Sequence, residues 1–149
     1  MSEKKKKIAK NYEFNGLGFP VIFSRVELRS IAGEWHPNIN MRKLQDIAFE
    51  ALLELPSRLT GAQVAFVRSY MDISQEQFAK SLGLTTHTQI SRWEKNKQRV
   101  AGLSPSHEAN LRVVMKQFLG TEVLSVQEHV RLLSGALLEP SGPIRLAAA

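Results

Sequence analysis

One helix-start signature, repeated between Leu59 and Asn96, limits most strongly what this chain can fold into. Thr60 with Gln63, Ser74 with Gln77 and Thr86 with Gln89 each fit the capping box, in which a hydroxyl and a side-chain amide reciprocally satisfy backbone N–H groups at a helix start. Three such starts in under forty residues predict three short helices joined by two tight turns. The apolar spacing says how they pack. Val64, Val67 and Met71 form one stripe of the first helix with Phe66 and Tyr70 beside it; Phe78, Ala79 and Leu82 serve the second, Ile90 and Trp93 the third. Ala79 is small where two helices would cross closely. Gly83, just past the second helix, suits the left-handed position that turns the chain toward the third.

Thr88, Ser91, Arg92 and Lys95 remain for solvent on the third helix, at spacing i, i+3, i+4, i+7. A short helix held from behind by Ile90 and Trp93, with hydroxyls, an Arg and a Lys in front, is suited to major-groove reading. Arg can bond guanine bidentately, small hydroxyls fit close to base edges, and a helix N-terminus attracts phosphate. The same pattern also describes an ordinary solvated face.

The run Ile73-Ser74-Gln75-Glu76-Gln77-Phe78-Ala79, then Leu82-Gly83, then Ile90-Ser91-Arg92-Trp93-Glu94, resembles the Xre/Cro-type helix-turn-helix regulators. The resemblance spans about a quarter of the chain, more if Leu103 to Leu119 completes the domain. It implies a lambda-repressor-like helical domain in which Gln75 helps anchor the phosphate backbone and the third helix enters the major groove. It also implies that Arg68 and Glu94 form a largely buried ion pair tying first helix to third, whose loss on one side costs roughly 3 to 5 kcal/mol. Between Gly83 and Ile90 this chain has one residue more than the commonest family spacing. Base assignments therefore do not transfer position by position, and Thr85, Thr86, His87, Thr88, Gln89, Ser91 and Arg92 are read as a group. Gln89 is open between capping and adenine readout, His87 between phosphate and water. Lys95, Asn96 and Lys97, followed by Gln98 and Arg99, are suited to gripping phosphate beside the groove.

The 149 residues, 43% of them hydrophobic, can bury a core and fit one domain or two small ones. The formal charge of +6 favours a polyanionic partner. The absence of cysteine excludes a disulfide framework and thiolate zinc sites. No apolar run approaches the ~18 residues of a membrane span, and the basic start lacks the apolar core of a secretion signal. The expectation is a cytoplasmic protein without membrane association.

Residues 1–10, with Lys4 to Lys7 in a row, read as a basic disordered arm that tracks phosphates or keeps the chain soluble. Residues 11–56 read as a small β-plus-helix module. Tyr12-Glu13-Phe14 and Phe19 to Arg25 flank a glycine-containing hairpin connection, and Val26 to Ile31 continue or pair again. Asn40 caps a helix carrying Leu44, Ile47, Ala48, Ala51, Leu52 and Leu55 on one face, and Pro56-Ser57-Arg58 is a linker. Residues 57–138 are the helix-turn-helix domain with its C-terminal helices. Ser104 or Ser106 caps the first of these, with Leu111, Val114, Met115 and Phe118 as its stripe. Ser125 with Glu128 opens the second, with Val126, Val130, Leu133 and Leu137 on one face. Residues 139–149 have the composition of a disordered tail. The fold class is thus mainly α, with a small N-terminal β-hairpin or sheet.

The histidines at 36, 87, 107 and 129 have no carboxylate or thiol spacing that makes a metal site, and His36 reads as a loop residue. No nucleophile elbow or phosphate-binding glycine loop is present; no catalysis, metal or cofactor is expected. Further left, the strands, the helix and the segment Leu59-Thr60-Gly61-Ala62 look like the antitoxins of toxin–antitoxin pairs, especially the MqsA type, though without that type's cysteine zinc site. The functional expectation is a homodimeric repressor on a palindromic double-stranded operator, serving as the antitoxin of an autoregulated pair with a cognate toxin. The alternatives are a stand-alone or phage-type repressor, and a protein whose main act is to neutralise a toxin through residues 11–56.

Overall fold

β1 (Lys6–Phe14) and β2 (Val21–Ile31) pair antiparallel from Lys6 opposite Arg29 to Phe14 opposite Val21. The six residues between them close through a hydrogen bond from the Gly18 N–H to the Asn15 carbonyl at 3.2 Å. A strict two-residue alternation would bury every second residue of β2, yet the buried set is Val21 and Phe23, then Val26 and Leu28. The inward face shifts by one residue opposite Asn11, whose φ of 53° lies in the left-handed region that Asn tolerates better than most residues. Lys10 and Arg25, directly opposite each other, therefore both face solvent.

The other edge of β2 is shared by two short strands. β3 (Glu34–Pro37) pairs antiparallel with Leu28–Ile31, and β4 (Ile144–Ala148) pairs parallel with the first half of β2. The structure is a computed structural model and describes residues 5–121, 124–140 and 142–148.

Three expectations change here. Lys6–Lys10 are not a disordered arm, because the ladder to β2 orders them whatever their charge; residues 1–4 of that arm lie outside the described residues. Ile144–Ala148 are a strand and not a tail: β4 supplies hydrogen bonds to the open edge of β2 and places Leu146 opposite Phe23, where it is buried. His36 lies in β3, opposite Arg29, and not in a loop.

The chain divides into two compact units, one built from residues up to Ile47 and from Gly142 onward, the other being Ala48–Ser141. The division falls inside α1 (Met41–Leu53) and not at Pro56. Asn40 starts that helix by accepting a hydrogen bond from the Lys43 N–H at 3.1 Å. Phe19, Val21, Phe23, Val26, Leu28, Leu44 and Leu146 are the buried apolar residues of the first unit, with Leu17.

The second unit holds the end of α1 and the helices α2 (Gly61–Tyr70), α3 (Gln75–Ser81), α4 (Thr88–Lys95), α5 (Pro105–Leu119) and α6 (Val126–Leu133). Both halves of the capping box are present at Thr60 with Gln63 and at Ser74 with Gln77. Ser104 caps α5, with Pro105 at its first position, and Ser125 caps α6. Leu59, Val64, Val67, Phe78, Ile90, Trp93, Leu103, Leu111 and Met115 are all but fully buried. Phe49 stacks on Tyr70 with ring centroids 4.3 Å apart.

Pro56-Ser57-Arg58 is no free linker. Arg112 donates to the carbonyls of Leu55 at 3.3 Å and Ser57 at 3.1 Å and to the Glu108 carboxylate at 2.6 Å, and Glu108 in turn accepts from the Leu59 N–H at 3.1 Å. Glu108 and Arg112 are 1% and 2% exposed. Two charges so buried must be fully paired to be tolerated, and here the segment's own backbone completes the pairing. The result is a mixed α/β architecture with a small N-terminal sheet and a larger C-terminal helical region.

Two apolar stripes depart from expectation. Phe118 is half exposed, its ring resting edge-on against Phe49 and Tyr70. On α6 it is Leu132 that is buried, while Val126, Val130 and Leu133 face out.

Candidate nucleic-acid interface

The face offered by α4 is created by what holds the helix from behind. Ile90 and Trp93 are 0% and 2% exposed, and α4 packs against α2 and α3. Gly61, at the start of α2, lies against the end of α4: a Cβ there would collide with the Trp93 carbonyl and come within 2.6 Å of the Lys97 nitrogen. The Gly61 and Ala62 N–H groups donate to the carbonyls of Arg99 and Lys97 at 3.0 and 2.8 Å. The free donors of the α2 N-terminus thus fix the loop that leaves α4.

An ion pair adds a second constraint. Arg68 Nε donates to Glu94 Oε2 at 2.7 Å and Arg68 Nη2 to Glu94 Oε1 at 3.0 Å, a two-pronged geometry. The side chains are 21% and 12% exposed. Arg68 Nη1 also donates to the Ile73 carbonyl at 3.1 Å, so one guanidinium joins α2, the turn before α3, and α4. The hydrogen bonds that Arg68 donates to Glu94 raise the Arg68 pKa above its ordinary value, burial opposes that rise, and the Glu94 charge adds to it.

Gln75 and Asn96 turn inward. Gln75 Nε2 donates to Glu94 Oε1 at 3.2 Å, and Asn96 Nδ2 donates to the Ala101 carbonyl at 2.9 Å. Both side chains are half-buried. Their amide nitrogens are engaged in holding the helical pair and the following loop.

The start of α4 differs from the expected capping box at Thr86. The N-cap is His87, in the right-handed helical region at φ −79° and ψ −4°, and no side chain caps the helix. A capping hydroxyl needs an extended N-cap backbone to fold back onto the N3 amide. With the helix beginning one residue later, Thr86 lies outside it, and Gln89 is freed from a capping role.

Thr85, Thr86, His87, Thr88, Arg92, Lys95 and Lys97 are exposed, while Gln89 and Ser91 are half-buried. Among the described residues Arg92, Lys95 and Lys97 make no ion pair. Lys97 takes a left-handed backbone with φ 51°, which turns the chain directly after the helix. The exposed surface of α4 and its flanking turns therefore carries hydroxyls, an imidazole and uncompensated cations, and no carboxylate, since Glu94 is consumed by Arg68. Sequence reasoning missed Glu108 and Arg112, whose i, i+4 spacing was the available signal.

Among the described residues no group of three or more His, Cys, Asp or Glu side chains comes together as a metal site would need, and no helix is long and apolar enough to cross a membrane. No family model, no curated protein and no solved structure matches this chain.

Proposed function

We propose that this protein is a sequence-specific DNA-binding regulator of the Xre/Cro helix-turn-helix type, with α3 and α4 as the helical pair and α4 as the element that enters the major groove. One observation carries the reading: α4 is fixed from behind by Ile90, Trp93 and the Arg68–Glu94 pair, and presents Arg92 and Lys95, without an ion pair among the described residues, beside Thr88 and Ser91. Arg92 is assigned to guanine, Gln89 and the hydroxyls to neighbouring base edges, and Lys95, Lys97 and the exposed threonines to phosphates. Gln75 and Asn96 are assigned to positioning.

The test is selection of bound duplexes from a randomised library with the full chain, followed by Arg92→Ala on the selected site. Loss of about 1 to 3 kcal/mol confined to one base pair is expected. Failure to enrich any sequence would overturn the reading.

A palindromic site requires a dimer, for which the outward Val126, Val130 and Leu133 of α6 are the proposed surface. Repression of its own operon as an antitoxin with a cognate toxin is the wider reading, supported by the resemblance at Leu59–Ala62. Co-expression with adjacent reading frames tests it, growth arrest relieved by a stable complex being the expected result.

A further inference from the structure

The solvent face of the N-terminal sheet gathers cations in a way that a sheet serving only as a fold would avoid. The register places Lys6 opposite Arg29 in one row, and Lys10 opposite Arg25 in another. Like charges directly opposite on antiparallel strands are destabilising. The first row is partly compensated by Glu27, 3.9 Å from Lys6 and 3.8 Å from Arg29; Glu34, 3.7 Å from His36, and Glu13, opposite Ile22, lie on the same face. Among the described residues Lys10 and Arg25 make no ion pair.

We infer that this face is a second DNA-binding surface, one that holds the phosphate backbone of a duplex without reading sequence. Charge complementarity to a polyanion supplies what the fold leaves uncompensated. The two rows are four residues apart along β1, about 13 Å at the usual strand rise. That is too far for one small anion to bridge, and it suits a polymer carrying a charge every ~1.7 Å of its axis. The apolar side chains on this face are Ile8, Ile22 and Ile31, while Tyr12, Phe14 and Phe23 occupy the opposite face. Single-stranded nucleic acid is held largely by stacking on aromatic rings, which this face does not offer, so the occupant is a duplex. The inference goes beyond the role proposed for α4 and does not require it to be correct.

The experiment measures binding of the full chain to a random-sequence duplex across a range of salt, for the wild type, Lys10→Ala/Arg25→Ala and Glu27→Gln. If each removed cation is one phosphate contact, the log–log salt slope of the double variant should become less negative by about 1.8. Affinity should fall by the same factor on random and selected duplexes, with a melting temperature no lower than the wild type's. Glu27→Gln should bind more tightly, a result that remains decisive if the double variant proves insoluble. An unchanged slope in the double variant, or unchanged affinity in Glu27→Gln, overturns the proposal. So does cation-dependent binding to phosphatidylserine vesicles with no effect on DNA, which would make the face a membrane surface. Loss of sequence selection in Arg92→Ala, or its absence in the wild type, bears on α4 alone and leaves the random-duplex slopes to decide this one.

Discussion

Glu108 and Arg112 couple the helical unit's interior to the segment that leads into α2. Arg112 serves two backbone carbonyls as well as Glu108, and Glu108 serves the Leu59 amide as well as Arg112. Glu108→Ala strands a buried guanidinium and an amide together, so a loss of about 3 to 5 kcal/mol in urea unfolding is expected. The apolar double variant Glu108→Leu/Arg112→Met should recover only part of that, because the carbonyls of Leu55 and Ser57 then lose their donor. Full recovery would show that the charges matter only to each other. Arg68 differs in exposure and in its partner's second task, since Glu94 also accepts from Gln75. Its raised pKa stabilises the fold below the unfolded-state value and is lost as pH climbs through the folded one. For a guanidinium that window is strongly alkaline, so Arg68 adds no slope to stability around neutral pH.

At the scale of elements, the contact between α2 and the end of α4 sets how well α4 can hold a pose. Gly61→Ala puts a methyl group against backbone, at the Trp93 carbonyl and the Lys97 nitrogen, and not against a side chain that could swing aside. A loss of about 1 to 3 kcal/mol is expected from such overpacking; if α4 is the DNA-reading helix as proposed, the displaced turn after it also weakens DNA binding. A melting temperature equal to the wild type's would mean that the close approach is not required. Element starts were largely legible in the sequence, because a cap is decided within four residues: Asn40, Thr60, Ser74, Ser104 and Ser125 all cap helices. The start of α4 was not, since the backbone at His87 depends on the whole turn after Gly83. Nor was β4, whose pairing joins Val21 to Ile144 across the length of the chain, far outside any local pattern. The Glu108–Arg112 spacing was visible, but its burial depends on carbonyls more than fifty residues upstream. The outward set on α6 shows the reverse difficulty: periodicity identifies an apolar face without saying what covers it.

For the molecule as a whole, a formal charge of +6 draws the chain toward any polyanion, and specificity must come from geometry repeated at the right spacing. On the proposed DNA-binding reading, one α4 would cover only a few base pairs, whereas two related by a twofold axis would read half-sites about 34 to 36 Å apart or a multiple of that. The proposed dimer surface is α6, where Val126 is 80% and Val130 58% exposed while Leu132 anchors the helix inward. Val130→Asp/Leu133→Asp leaves Leu132 and the Ser125 cap in place, so the fold should persist while self-association is lost. Sedimentation should then report a monomer, and binding to a selected palindrome should weaken far more than binding to a single half-site, because only the palindrome gains from having both sites occupied by one particle. Equal weakening on both would place α6 at the DNA and not at a subunit boundary. An unchanged dimer would move the twofold axis elsewhere on the chain and leave the outward stripe of α6 to another partner.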